Sequence, residues 1–232
     1  MQFGKSVIVA LIGVAIAQPM FAQALQQGRQ VIRPDSAHFS QVLNGRATVV
    51  EYRGRRAVKL VPSGDTSARA GDMLAILAGQ DFKNGTIEAD VAGAPLPGAS
   101  QGARGFIGIA FRTGEHAEWS EIFYLRPTNG RADDQLRRNH SVQYVSPPDW
   151  SWHRLRDESP GVYESYADLE PGAWTHMKIV VSGKTARLYV NNAAEPCLIV
   201  NDLKHGDAGG RVALWAEFET DAYFGPISIS SR

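Results

Sequence analysis

The chain has 232 residues, with 24 Lys and Arg against 24 Asp and Glu and a single Cys. A surface without net charge excludes the strongly basic footprint of nucleic-acid binding and electrostatic docking to an anionic membrane. One cysteine excludes any internal disulfide, and a chain this long can build a sufficient core without one.

Residues 1–24 read as a secretory leader. Lys5 supplies the positive start, and "SVIVALIGVAIA" follows as an uninterrupted apolar run. That run is about 12 residues, short of the roughly 20 that cross a bilayer. Pro19 ends it, and Ala22-Gln23-Ala24 has the small-x-small form of a cleavage site. A cut after Ala24 predicts a secreted or periplasmic protein of the bacterial envelope, leaving 208 residues with 23 bases and 24 acids. No later stretch is long and apolar enough to span a membrane, and residues 25–232 read as a single domain.

From there, short runs of β-branched and aromatic residues recur between Gly, Asn and Pro, which is the pattern of an all-β fold. "ATVVEY" and "AVKLV" flank "RGRR" as a first hairpin, and "DMLAILA" follows. "TIEADVAG" after "KNG" alternates Ile87, Ala89 and Val91 with Thr86, Glu88 and Asp90. "GFIGIAFR" and "WSEIFYLRP" come next, and only "DDQLRRNH" and "DWSWHRLRDES" fit a helical turn. Then "WTHMKIVVSG" and "KTARLYVNN" form a hairpin, followed by "PCLIVNDL", "GGRVALWAEF" and "AYFGPISIS". Spacings of this length without intervening helices exclude βαβ units. Cys197, at the start of an apolar strand, reads as a buried inert thiol.

The closing segments "PGAWTHMKIVVSGKTARLYVNN", "LIVNDLKHGDAGGRVALWAEF" and "AYFGPISI" resemble the concanavalin A-like lectin/glucanase jelly roll. That group includes laminin-G-like domains and exported bacterial 3-keto-disaccharide hydrolase domains. "FKNGTIEADV" and "RGFIGIAFR" match its earlier strands, so the resemblance covers about residues 45 to 230. It implies an all-β, two-sheet antiparallel jelly-roll sandwich with its ligand on a concave face. The fold itself hosts lectins, hydrolases, lyases and adhesion modules alike. The chain departs from the laminarinase-type glucanases in lacking their E-x-D-x-x-E strand. It also lacks the F-N-G-K opening of the keto-disaccharide group.

Alternation places residues of one parity on one face of a strand. In "GFIGIAFR", Ile107, Ile109 and Phe111 read as core, so Phe106, Gly108, Ala110 and Arg112 face the other way, with Arg112 at a rim. In "WSEIFYLR", Phe123 and Leu125 read as core and Tyr124 and Arg126 face outward. The face of "HSVQYVS" is ambiguous. A pyranose offers apolar C–H patches to aromatic rings and hydroxyls to Arg, Asn, Gln and carboxylates. Residues 125–166 concentrate both kinds: Arg126, Asn129, Arg137, His140, Gln143, Tyr144, Trp150, Trp152, His153, Tyr163 and Tyr166. Such a long segment is either a ligand site or a cover for its own hydrophobic edge. The expected ligand-binding set is Arg112, Arg126, Arg137, Gln143, Tyr144, Trp150 and Tyr166.

For catalysis the candidates are His140 and His153 as acid or base, Tyr124 as partner, and Glu121. Glu88, Asp90 and Glu217 are further acids. The first two read as solvated decoration, and Glu217 shares a face with Trp215 and Glu219. No cofactor motif is present. His140 and His153 lack a metal-ligand spacing, while Asn129, Asp133 and Asp134 leave calcium open. The expected function is recognition of a carbohydrate or glycan. The alternatives are a glycan-active hydrolase or lyase on the same scaffold, and a laminin-G-like module with a protein partner.

Overall fold

The computed structural model describes residues 28–64 and 71–232. The leader expected over residues 1–24 lies outside them. The strands begin with β1 (Arg29–Ile32), β2 (Phe39–Leu43), β3 (Gly45–Tyr52), β4 (Arg55–Pro62) and β5 (Met73–Phe82). They continue with β6 (Gly85–Pro95), β7 (Ile107–Thr113), β8 (Glu121–Leu125), β9 (Val142–Val145) and β10 (Glu164–Ser165). The last are β11 (Thr175–Ser182), β12 (Thr185–Val190), β13 (Leu198–Val200), β14 (Gly210–Ala216) and β15 (Thr220–Ser231). Two short helices, α1 (Gln135–Asn139) and α2 (Trp152–Glu158), fall where helical turns were expected. No helix among the described residues is long and apolar enough to cross a membrane.

The strands form two antiparallel sheets. One has eight strands in the order β13-β12-β11-β6-β15-β4-β3, with β1 also on β15. The other has seven, in the order β10-β9-β8-β7-β14-β5-β2. This is the predicted two-sheet jelly roll. Strands β1 and β2 were not expected, because the sequence before residue 44 carries no sustained apolar alternation. Cys197 is half-buried; burial pushes its thiol up to about 11, which keeps it protonated and unreactive.

The core follows from alternation. Ile87, Ala89 and Val91 of β6 face Ile107, Ile109 and Phe111 of β7 and Phe123 and Leu125 of β8, all buried. Burying each large aliphatic or aromatic side chain is worth about 1.5–3 kcal/mol. Glu88 and Asp90, on the opposite face of β6, pair with Arg29, Arg55 and His176 at the surface.

Alternation fails at Arg112. Opposite it β14 is bulged between Arg211 and Ala213, and Arg112 itself has φ +48°. The side chain therefore leaves the expected rim and is fully buried at one end of the sandwich. Its guanidinium donates to the carbonyls of Lys83 (2.8 Å), Gly183 (2.7 Å) and Gly206. Arg112 thus ties β7 to the β5–β6, β11–β12 and β13–β14 connections.

Candidate functional site

The face of the seven-stranded sheet turned away from the core carries one continuous cross-strand row. Leu74, Trp215, Gly108, Tyr124 and Gln143 stand side by side on β5, β14, β7, β8 and β9. Gly108 has no side chain, and the rings of Trp215 and Tyr124 meet beside it with centroids 4.9 Å apart. The space that Gly108 leaves is thus filled by these two rings. They form part of the lining of a cavity of about 280 Å³, together with Phe106, Trp150 and Trp152.

Two carboxyl groups line the same cavity. Glu217 and Trp215 share parity at the end of β14, and Asp72 and Leu74 share parity at the start of β5. The register Trp215↔Leu74, Ala216↔Met73 continues to bring Glu217 opposite Asp72. The Glu217 carboxylate accepts from the backbone N–H of Glu219 (3.0 Å) and the hydroxyl of Thr220 (3.4 Å). Burial pushes Glu217 up to about 7, and the negative charges of Glu219 and Asp72 add to the shift. Desolvation pushes Asp72 up to about 6, against a hydrogen bond from the Trp215 indole. Water still reaches Asp72, which is exposed as a residue, so Glu217 is the more firmly constrained of the two. Each can donate a proton near neutral pH and accept one when ionised.

A second cavity, about 350 Å³, shares the walls Phe106 and Trp152 with the first. Arg104, Arg126, Arg137 and Arg156 converge on it. Arg126 is nearly buried; it donates to the Tyr124 hydroxyl (2.9 Å) and to the His140 carbonyl (3.1 Å). Glu164 of β10, 6 % exposed, binds Arg156 through both oxygens (2.9 and 2.6 Å) and lies 3.6 Å from Arg126. His140 Nε2 lies 3.1 Å from the same carboxylate. Burial holds the His140 imidazole below its ordinary range; Glu164 opposes this, and Arg156 and Arg126 reinforce it. A third cavity, about 730 Å³, shares His140 and Arg156 with the second and reaches Tyr166. The three cavities therefore adjoin one another in series.

The structure brings Trp150, Arg126, Arg137, His140, Tyr124 and Tyr166 onto these cavities. Burial pushes the Tyr124 phenol up to about 12, so it stays protonated at neutral pH. The Tyr166 hydroxyl accepts from Arg138 (3.0 Å). Others of the expected residues lie elsewhere. Tyr144 and Glu121 point into the core and are fully buried. The Tyr144 hydroxyl donates to Glu121 and accepts from the backbone N–H of Lys204 (3.0 Å), and Glu121 accepts from that of His205 (2.8 Å). Pairing of Tyr144 with core residue Phe123 settles the ambiguous face of β9. Gln143 faces the outward row but is buried, its amide donating to the Tyr163 carbonyl (3.1 Å). His153 stacks on Trp152 on the exposed side of α2, separate from His140.

Among the described residues, no three His, Cys, Asp or Glu side chains group as a metal site. Asp134 instead caps α1, accepting from the backbone N–H of Arg137 (3.0 Å). Asp72, Arg104, Arg156 and Glu164 went unmarked in the sequence. Asp72 carried no signal of its own, because its place beside Glu217 depends on the pairing of β5 with β14.

No protein-family model and no curated protein sequence matches the chain. Solved structures do. The carbohydrate-binding module CBM66 from Bacillus subtilis matches with TM-score 0.52 and 13 % identity, over 82 % of this chain and 98 % of that one. A Bacillus subtilis protein of unknown function with a galectin-like fold matches at 0.51 and 11 %, over 82 % and 88 %. The exoplasmic/lumenal domain of VIP36 matches at 0.52 and 9 %, over 89 % and 92 %. With its two stacked antiparallel sheets, this chain has the concanavalin A-like jelly-roll sandwich fold.

Proposed function

We propose that this is an exported protein that binds a glycan across the outward face of its seven-stranded sheet. The observation that carries the reading is the convergence of Trp150, Trp152, Trp215 and Phe106 on one cavity that also holds two carboxyls. Aromatic faces cover the C–H patches of a pyranose, and carboxyls take its hydroxyls at fixed geometry. The adjoining cavities give room for more than one sugar ring. The match to a carbohydrate-binding module supports the reading at the level of fold, and the leader sequence supports export.

A glycan array with the full chain tests it. Trp150→Ala, which removes a half-buried indole at the cavity, should weaken binding about tenfold or more, since stacked aromatics are worth about 0.5–1.5 kcal/mol beyond their buried area. An array without a single hit would remove the proposal.

Asp72 and Glu217 favour a second reading, hydrolysis of the bound glycan. Two facing acids with unequal proton affinity can divide the work. Glu217 protonates the leaving oxygen, and ionised Asp72 attacks the sugar or activates water. Product analysis on each array hit decides between the readings. Turnover lost in both Asp72→Asn and Glu217→Gln selects the enzyme; binding without turnover selects the lectin.

A further inference from the structure

We infer that the second cavity is a subsite for an anionic group on the glycan, a uronate carboxylate or a sulfate ester. The inference rests on the carbohydrate reading above and names its substrate class. Four guanidiniums line the cavity, and among the described residues Glu164 is the one carboxylate in contact with any of them. Glu164 is already engaged by Arg126, Arg156 and His140. Arg104 and Arg137 have no ionic partner among the described residues. Arg104 donates to the carbonyls of Gln101 (2.6 Å) and Ala103 (2.9 Å). Arg137 makes one long contact, 3.4 Å to Asn129, and its Nε is buried without an acceptor.

A buried donor left unpaired costs about 1–3 kcal/mol, and like charges gathered in a cleft repel across low dielectric. The arrangement is costly for the protein alone and favourable once an anion enters. Burial lowers the proton affinity of Arg104, and the positive charges of Arg137 and Arg126 lower it further. A carboxylate or sulfate presents paired oxygens that match the fork of a guanidinium. Phe106 and Trp152 belong to both cavities. A sugar held in the first cavity therefore lies beside the cavity that Arg104 and Arg137 line.

The test compares matched probes on the full chain by calorimetry: trigalacturonate against its methyl ester, and a sulfated neocarratetraose, which carries no carboxylate, against its desulfated form. Sodium glucuronate and sodium sulfate alone are followed by tryptophan fluorescence, since Trp152 borders the cavity. At least one acidic probe should bind about tenfold tighter than its matched control, as loss of a charged hydrogen bond predicts. That advantage should shrink as sodium chloride is raised. The Arg104→Gln/Arg137→Gln double variant, its fold checked by circular dichroism, should bring the ratio to about one. The better of the two acidic probes identifies the source of the anion. Equal binding of acidic and control probes overturns the inference and leaves the glycan reading in place. If glucuronate or sulfate binds the wild type and not the double variant while neither these oligosaccharides nor any member of the glycan array binds, the anion pocket stands and the glycan reading falls. Silence of every acidic probe and both simple anions overturns the inference outright.

Discussion

Asp72 and Glu217 lie opposite one another, one step beyond the paired Met73 and Ala216 of β5 and β14. Both hold their protons to higher pH than a free carboxyl does, Asp72 to about 6 and Glu217 to about 7. The folded state therefore binds more protons than the unfolded chain between about pH 4 and these values. By linkage, their contribution to stability is full below about pH 4 and is lost as pH rises through the folded values. Relative to wild type, Glu217→Gln should gain thermal stability steadily between acid and neutral pH. Parallel melting-temperature curves for the two proteins across that range would show that Glu217 titrates as an ordinary acid.

Gly108 separates Trp215 from Tyr124 in the outward row, and a methyl group there would sit 2.7 Å from the Tyr124 Cα. It would also press on the backbone carbonyl of Phe123. Gly108→Ala should destabilise the fold by about 1–3 kcal/mol, the usual cost of overpacking. The same change should loosen the cavity lining, so glycan affinity falls with it. Urea unfolding reads the first effect and titration with an array hit the second. An unchanged unfolding midpoint would mean that the two strands separate freely at this point.

Arg112 holds three carbonyls from three different turns. Arg112→Ala leaves buried acceptors unpaired and should cost at least about 3 kcal/mol. Arg112→Lys should recover little, because an ammonium lacks the planar fork that spans them. Arg112 lines none of the three cavities, so glycan affinity of the folded fraction should stay at the wild-type value. Lost affinity with full stability would return Arg112 to the ligand site.

Tyr144→Phe separates the same two roles at β9. The phenol donates to buried Glu121 and accepts from the Lys204 N–H. Its removal leaves a buried carboxylate short of a donor, for about 2 kcal/mol or more. Chemical denaturation should show that loss, and glycan titration should show no change.

While the jelly-roll class was implied by the resemblance of the closing segments to a known family, the alternation of apolar residues was sufficient to read most strands and the inward faces of β6, β7 and β8. It served because the side-chain period along a strand is two wherever a strand buries a single face. It failed at Arg112, where a bulge and a left-handed backbone reverse the face. It was silent at Tyr144, because "HSVQYVS" has apolar residues in both parities. The members of the crowded segment 125–166 divide between cavity wall, core and exposed helix.

What the linear order of residues decided, then, is which stretches are strands and which side of each is greasy. Tertiary structure alone decided which residues meet. Asp72 and Glu217 are joined by antiparallel pairing of distant strands, and Arg104 reaches Arg137 and Arg126 across separate loops. Local periodicity arises from backbone geometry and is written into every few residues. Encounters between remote side chains depend on strand order and register, which are set only when the two sheets close over their common core.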